Sequence, residues 1–252
     1  MYHSVTDTPF FKDILHQEDH EWAAAKFREK TFHKGQVLYM HGDEGHDMYI
    51  IKSGALKIYR QDDHREIIFG HQFPGEAIGE LEIFHHDNRR TASVATIEKT
   101  TLWVASRSAI EELVVRYPAI LRKTIDILSE RLSQADRKLE YLAFLDVRIR
   151  VANLLLDLYS NFGKDTENGL LIDWKITQQH FANMIGVGRE SAARILNEFQ
   201  DKGILELKNR RTYILKLDVL KTLAGGEPQP GDERLWHSTH KYDLTPSNFR
   251  NS

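Results

Sequence analysis

The chain of 252 residues contains no cysteine. Disulfides, thiol redox sensing and cysteine-ligated zinc or iron–sulfur sites are thereby excluded. Proline is scarce, six in all, and three of those (Pro228, Pro230 and Pro246) fall in the last 25 positions. No apolar run approaches the length needed to cross a membrane, and the N-terminus lacks a basic segment followed by an apolar one. A cytoplasmic protein with no membrane partner is expected. No nucleophile–base pair, metal-ligand set or phosphate-loop lysine motif appears, so no catalytic residue and no metal is assigned. The histidines are numerous, thirteen, but adjacent His85 and His86 on a strand would point opposite ways and no ligand pair has helical spacing.

Charge is unevenly spread. The whole chain carries −3, but residues 1–146 hold 19 Lys and Arg against 24 Asp and Glu, a net −5, whereas residues 147–225 hold 12 against 9, a net +3. The acidic excess sits in the first part and the basic excess in the second, so any nucleic-acid partner belongs with the second.

Between the two runs an apolar stripe: Leu121, Ile125, Leu128, Leu132, Ala135, Leu139 and Leu142 are spaced four and three in alternation. That is the period of a coiled-coil seam. A helix over 118–145 would present it to a second copy of the chain, making a parallel homodimer, with the alternative that the helix packs on its own domain. The other face, including Arg122, Lys123, Glu130, Arg131, Asp136, Arg137, Lys138 and Glu140, reads as solvent-facing.

Before this spine, residues 10–30 read as short amphipathic helices. From 31 to 104, short β-prone runs (36–40, 48–52, 55–59, 67–69, 92–97, 102–104) alternate with glycines, as in a barrel or jelly roll. Asp62-Asp63-His64 is the expected hairpin tip, and 108–117 turns helical before Pro118. One segment has anion chemistry. Gly79, Glu80 and Leu81, followed by Arg90, Thr91 and Ala92, bring together exposed backbone N–H groups, a planar guanidinium fork and a hydroxyl, which suit a phosphate; the nearby carboxylate suits a ribose hydroxyl.

After the spine, 147–159 continues helical and 161–169 reads as a polar loop. Thr177 then caps a helix beginning at Gln178 and ending at Gly186, and a second helix starts at Arg189. Phe181, Ile185, Val187, Ala192 and Ile195 supply its core, and small Ala182 allows close crossing: a helix-turn-helix. Arg189, Glu190, Ser191, Ala193 and Arg194 lie on the early turns of the second helix, within reach of base edges. Residues 204–207 and 213–217 flank Lys208, Arg210 and Arg211, a hairpin with a basic tip suited to backbone phosphates. The tail, 226–252, has few apolar residues and is expected to lack fixed order.

Together these pieces resemble the cyclic-AMP receptor protein and fumarate–nitrate regulator superfamily of bacterial transcription factors, over roughly residues 32–222. The resemblance implies an α+β chain in four parts: an effector-binding jelly roll of the cyclic-nucleotide type with N-terminal helices (1–117), a dimerisation helix and hinge (118–145), a winged helix-turn-helix (146–225) and a tail (226–252). It implies that Gly79, Glu80, Arg90 and Thr91 hold a cyclic phosphate and ribose, and that Phe144-Leu145-Asp146 is the hinge that reorients the DNA-binding domains. It also implies palindromic double-stranded DNA and RNA polymerase as partners, with Arg189, Glu190 and Arg194 matching the residues that read a TGTGA-type half-site. Two departures stand out. The family's adenine-reading Thr-Ser pair is matched by Ala135 and Asp136, which cannot offer two hydroxyls, and Gly188 stands where a serine often caps the recognition helix. The effector is therefore open: a cyclic nucleotide, another small anion, or none, with the barrel serving only dimerisation. On this reading, replacing Arg90 removes effector binding and leaves the fold intact.

Overall fold

The computed structural model describes residues 2–209 and 211–225, and the chain divides into two compact units. The first comprises residues 1–60 and 69–133, and the second 61–68 and 134–252. Arg210 and the tail 226–252, assigned above to the wing and to an unstructured end, lie outside the described residues.

The N-terminal stretch forms two short 3-10 turns and α1 (His20–Ala24), with Val5, Phe10, Phe11 and Ala23 buried in a core shared with Met48, Trp103 and Leu113. Eight strands follow: β1 (Arg28–Phe32), β2 (Val37–Tyr39), β3 (Asp47–Ser53), β4 (Leu56–Gln61), β5 (Glu66–Gln72), β6 (Ala77–Ile78), β7 (Ser93–Thr96) and β8 (Thr100–Ser106). They form two antiparallel sheets ordered β1-β8-β3-β6 and β2-β7-β4-β5. A core of Ile51, Leu56, Ile78, Val94, Leu102 and Val104 lies within the barrel. The expected tip between β4 and β5 is present, with Asp62 Oδ1 accepting the N–H groups of His64 and Arg65 at 2.8 and 2.7 Å. β1 and β6 were not anticipated. Four of the five β1 residues are exposed, because an edge strand held by its ladder to β8 needs no apolar alternation to pair.

One turn of helix, α2 (Glu80–Phe84), interrupts the strands, and α3 (Arg107–Arg116) follows them. The spine is α4 (Ala119–Phe144), 26 residues long. It carries two stripes, where sequence periodicity indicated one. Ile120 and Thr124 are buried and Ile127 packs on the core, and the same four-three spacing continues to Arg131 and Lys138. The seam residues lie on another face: Ile125, Leu132 and Leu139 remain 61, 64 and 66% exposed. Arg131 and Lys138, read above as solvent-facing, instead turn inward. Arg131 donates to Glu80 and to the Ala77 carbonyl, and Lys138 Nζ donates to the Ile68 carbonyl. Burial lowers the Lys138 pKa to about 8.

In the second unit, α5 (Val147–Phe162) begins at Asp146, whose Oδ1 accepts the Ile149 N–H at 2.9 Å. Residues 161–169, expected as a loop, instead pair as β9 (Gly163–Thr166) and β10 (Gly169–Ile172). The unit then continues through α6 (Gln178–Ile185), α7 (Arg189–Asp201), β11 (Leu205–Lys208), β12 (Arg211–Ile214) and α8 (Leu217–Leu223). Its sheet order is β11-β12-β10-β9, so the wing has four strands because the polar hairpin adds its ladder to β12. No helix among the described residues is long and apolar enough to cross a membrane. Since Asp146 satisfies an otherwise orphaned first-turn N–H, Asp146→Ala is expected to lower stability by about 0.5–2 kcal/mol. Asp146→Asn should retain most of it, as read from urea midpoints at constant slope.

Candidate effector seat and DNA-reading helix

Gly79, in the left-handed region at φ 83°, starts α2. It and Gly45 leave the space into which the Arg90 guanidinium fits: a Cβ at Gly79 would lie 2.7 Å from Arg90 Nη1, and one at Gly45 would collide with Arg90 Nε and Cζ. Arg90 is 3% exposed, with its Cζ 4.1 Å from the centre of the Tyr39 ring. Burial raises the Tyr39 phenol pKa, with Arg90 opposing. The fork does not face an open seat. Nη1 donates to Glu82 Oε2 at 3.0 Å and Nη2 to the Asp47 carbonyl at 2.8 Å. The other Glu82 oxygen, Oε1, accepts the Thr91 N–H at 3.1 Å.

Glu80 is fully buried. Its Oε1 accepts from Arg131 of α4, while Oε2 is buried with no hydrogen-bond partner. Burial raises the Glu80 pKa, opposed by the Arg131 charge. The structure thus brings Gly79, Glu80, Arg90 and Thr91 together with two groups the sequence reading did not select, Glu82 and Arg131. Ala92 is buried beside them in sequence, and Leu81 is 36% exposed. Ala135 and Asp136 are exposed on α4. The helical spacing 120, 124, 127, 131 was the available signal for Arg131. For Glu82 there was none, because a charged residue beside a turn ordinarily signals solvent.

On the DNA side, Thr177 Oγ1 accepts the His180 N–H at 3.1 Å and caps α6. Gly186 closes that helix at φ 67°, a left-handed turn that favours glycine. α7 starts after Gly188 without a side-chain cap. Phe181, Ala182, Ile185, Ala192 and Ile195 are buried as expected, and Val187 is half-buried. On α7, Arg189, Glu190 and Arg194 are exposed together, while Ser191 and Ala193 are half-buried. Gln178 is half-buried in the first turn of α6. In the wing Lys208 is exposed, whereas Arg211 is drawn back towards Asp173 at 3.6 Å. α7 is anchored from behind by Arg148, whose Nη2 lies 2.7 Å from Glu198, and Arg150 donates to the Ile185 carbonyl at 3.0 Å. Arg148 therefore ties α5 to α7, and Arg150 ties it to the end of α6.

The family model of the cyclic nucleotide-binding domain matches residues 29–117, and that of the Crp-like helix-turn-helix domain matches residues 149–223. The chain is 32% identical over 184 residues, 73% of its length and 82% of the relative's, to the CRP-like cAMP-activated global transcriptional regulator of Mycobacterium tuberculosis. The chain belongs to the CRP/FNR superfamily of transcription factors. Solved CRP/FNR structures agree. A CooA variant from Carboxydothermus hydrogenoformans is 25% identical with a TM-score of 0.72, covering 87% of this chain and 97% of that one. The c-di-GMP-responsive global regulator CLP of Xanthomonas campestris is 26% identical with a TM-score of 0.70, covering 75% and 94%.

The geometry changes the expected consequence of replacing Arg90. Removing it leaves the buried Glu82 carboxylate without its cation, so the fold does not escape unharmed: Arg90→Ala is expected to lower stability by about 3–5 kcal/mol. Arg90→Met combined with Glu82→Leu should recover most of that loss. A double-mutant cycle in urea measures both.

Proposed function

We propose that the chain is a dimeric, ligand-responsive, sequence-specific DNA-binding regulator, working in the cytoplasm on palindromic sites and through RNA polymerase. The observation that carries this reading is α7: Arg189, Glu190 and Arg194 exposed on one face of a helix whose opposite face is buried. Such a face fits a major groove, with arginine reading guanine and glutamate accepting from cytosine. Lys208 on the wing supplies a phosphate contact. The exposed seam of α4 supports dimerisation, since Leu121, Ile125, Leu132, Leu139 and Leu142 together would otherwise leave an apolar stripe in water. Ligand response finds support in Arg131, a spine residue that reaches into the barrel to Glu80. A ligand approaching the unpartnered Glu80 oxygen would act on the spine directly and so bias the hinge at 144–146.

A second reading, in which the barrel serves only dimerisation and DNA binding needs no effector, is favoured by one observation. The arginine and backbone donors expected for a phosphate are already engaged by Glu82.

Leu128→Glu with Leu132→Glu should give monomers by ultracentrifugation and abolish operator binding, because two charges per chain would be buried in the seam. Persistence of a tight dimer would remove the seam assignment. Arg194→Ala should weaken operator binding by about 1–3 kcal/mol per half-site and relax preference at one base pair in each. Lys208→Ala should weaken all sequences alike and reduce the salt slope. Selection on random duplexes checks both: an unchanged sequence logo with Arg194→Ala would mean that this arginine touches only phosphate.

A further inference from the structure

We propose that Glu82 is a built-in substitute for a ligand phosphate, so that this barrel is closed to cyclic nucleoside monophosphates and other small phosphate anions. The inference rests on the barrel being the effector seat of the proposed regulator. Its starting point is the set of donors that an incoming phosphate would require. A bidentate arginine fork and a backbone N–H are the groups that recognise a phosphate's oxygens. In this chain both are present in the segment from Gly79 to Thr91, and both are consumed. One oxygen of Glu82 takes Arg90 Nη1 at 3.0 Å and the other takes the Thr91 N–H at 3.1 Å. A carboxylate bridging an arginine and the next residue's amide presents two oxygens, one negative charge and a planar geometry where a phosphate would present its own.

The remaining donors of Arg90 do not restore the seat. Nη2 is engaged by the Asp47 carbonyl at 2.8 Å, and Nε is buried with no hydrogen-bond partner among the described residues, so both terminal nitrogens of the fork are already hydrogen-bonded before a phosphate could approach. Nor is the guanidinium free to swing: Gly45 and Gly79 press on one side, and the Tyr39 ring lies 4.1 Å from its Cζ. The Glu82 side chain is 4% exposed and that of Arg90 3%. A phosphate entering the seat must therefore expel a buried carboxylate from its partner Arg90, and breaking a buried ion pair by displacing one partner is strongly unfavourable. Glu82 itself is held from behind, because its carbonyl accepts from Arg107, whose same nitrogen also donates to Asn88.

Glu80 is treated differently. Its Oε2 is buried, unpartnered and next to the Arg131 contact that joins barrel to spine. The seat thus keeps an acceptor for a hydroxyl or amine while its anion donors are satisfied internally. The ligand chemistry compatible with both facts is a donor-bearing molecule without a phosphate.

The test uses the full-length chain with Glu82→Ala and with the volume-conserving Glu82→Gln. Wild-type protein, titrated calorimetrically with cyclic AMP, cyclic GMP and inorganic phosphate, should show no saturable binding up to about 1 mM. Folded Glu82→Ala or Glu82→Gln should gain affinity for at least one of these by on the order of 10- to 100-fold, the range expected when charge-assisted hydrogen bonds become available. The gain should appear also as a rise in melting temperature of the variant, and not of wild type, with added anion. Two results overturn the proposal: wild-type protein that binds a cyclic nucleotide with a dissociation constant the variants share, or a folded variant that stays blind to every anion. Operator binding is measured in parallel without nucleotide. Its absence in wild type under all conditions would count against the regulator reading, independently of what the titrations give.

Discussion

The buried pair of Arg90 and Glu82 is the constraint around which the barrel interior is arranged. An unpaired guanidinium at 3% exposure is not tolerable in a low-dielectric interior, so everything nearby exists to satisfy it: a carboxylate, a backbone carbonyl, an aromatic face, and two glycines that give it room. The one-turn helix α2 follows from this. It carries Glu80 and Glu82 into the same interior, the first towards the spine and the second towards the arginine. A pair so enclosed contributes less to net stability than to fixing which atoms face which, since well-packed apolar residues of the same volume would cost nothing in desolvation.

The spine packs one stripe on its own unit and leaves a second, apolar one exposed, which the dimer reading assigns to a partner. A helix of 26 residues with one apolar stripe would be a dimer seam and no more. Here a second stripe, offset by one residue from the first, carries Ile120, Thr124, Ile127 and Arg131 into the chain's own unit. The two stripes together cover more of the helix surface than a pure coiled coil would. They also explain why the exposed positions are so strongly apolar on one side and so mixed on the other.

Where periodicity carries the signal, the sequence was legible: the long helix with its apolar stripe, the helix-turn-helix with its glycine turn, the wing, and most barrel strands could be placed from residue pattern alone. Failures cluster where pairing overrides pattern. β1 and β9 are both edge strands built from polar residues, and their ladders hold them in place without an apolar face. Arg131 and Lys138 were misjudged, and Glu82 passed over, for the complementary reason. A charged side chain reads as solvent-facing from sequence, and only the fold reveals that its partner is also buried. The phosphate chemistry of Gly79, Arg90 and Thr91 was visible, but not that a carboxylate three residues after Gly79 would answer it.

The position of Glu82 carries a further consequence for how such a chain can diversify. Glu82 lies on α2, separate in sequence from the spine and from α7. On the proposed reading, a single substitution there alters what the interior accepts while leaving the residues assigned to the seam and to the DNA-reading face unchanged. By contrast Arg131 shares a helix with the exposed apolar stripe, so on the proposed dimer reading drift at that position bears on assembly as well. Input chemistry in this architecture is thus free to evolve at α2, while the positions along the spine are held by two demands at once.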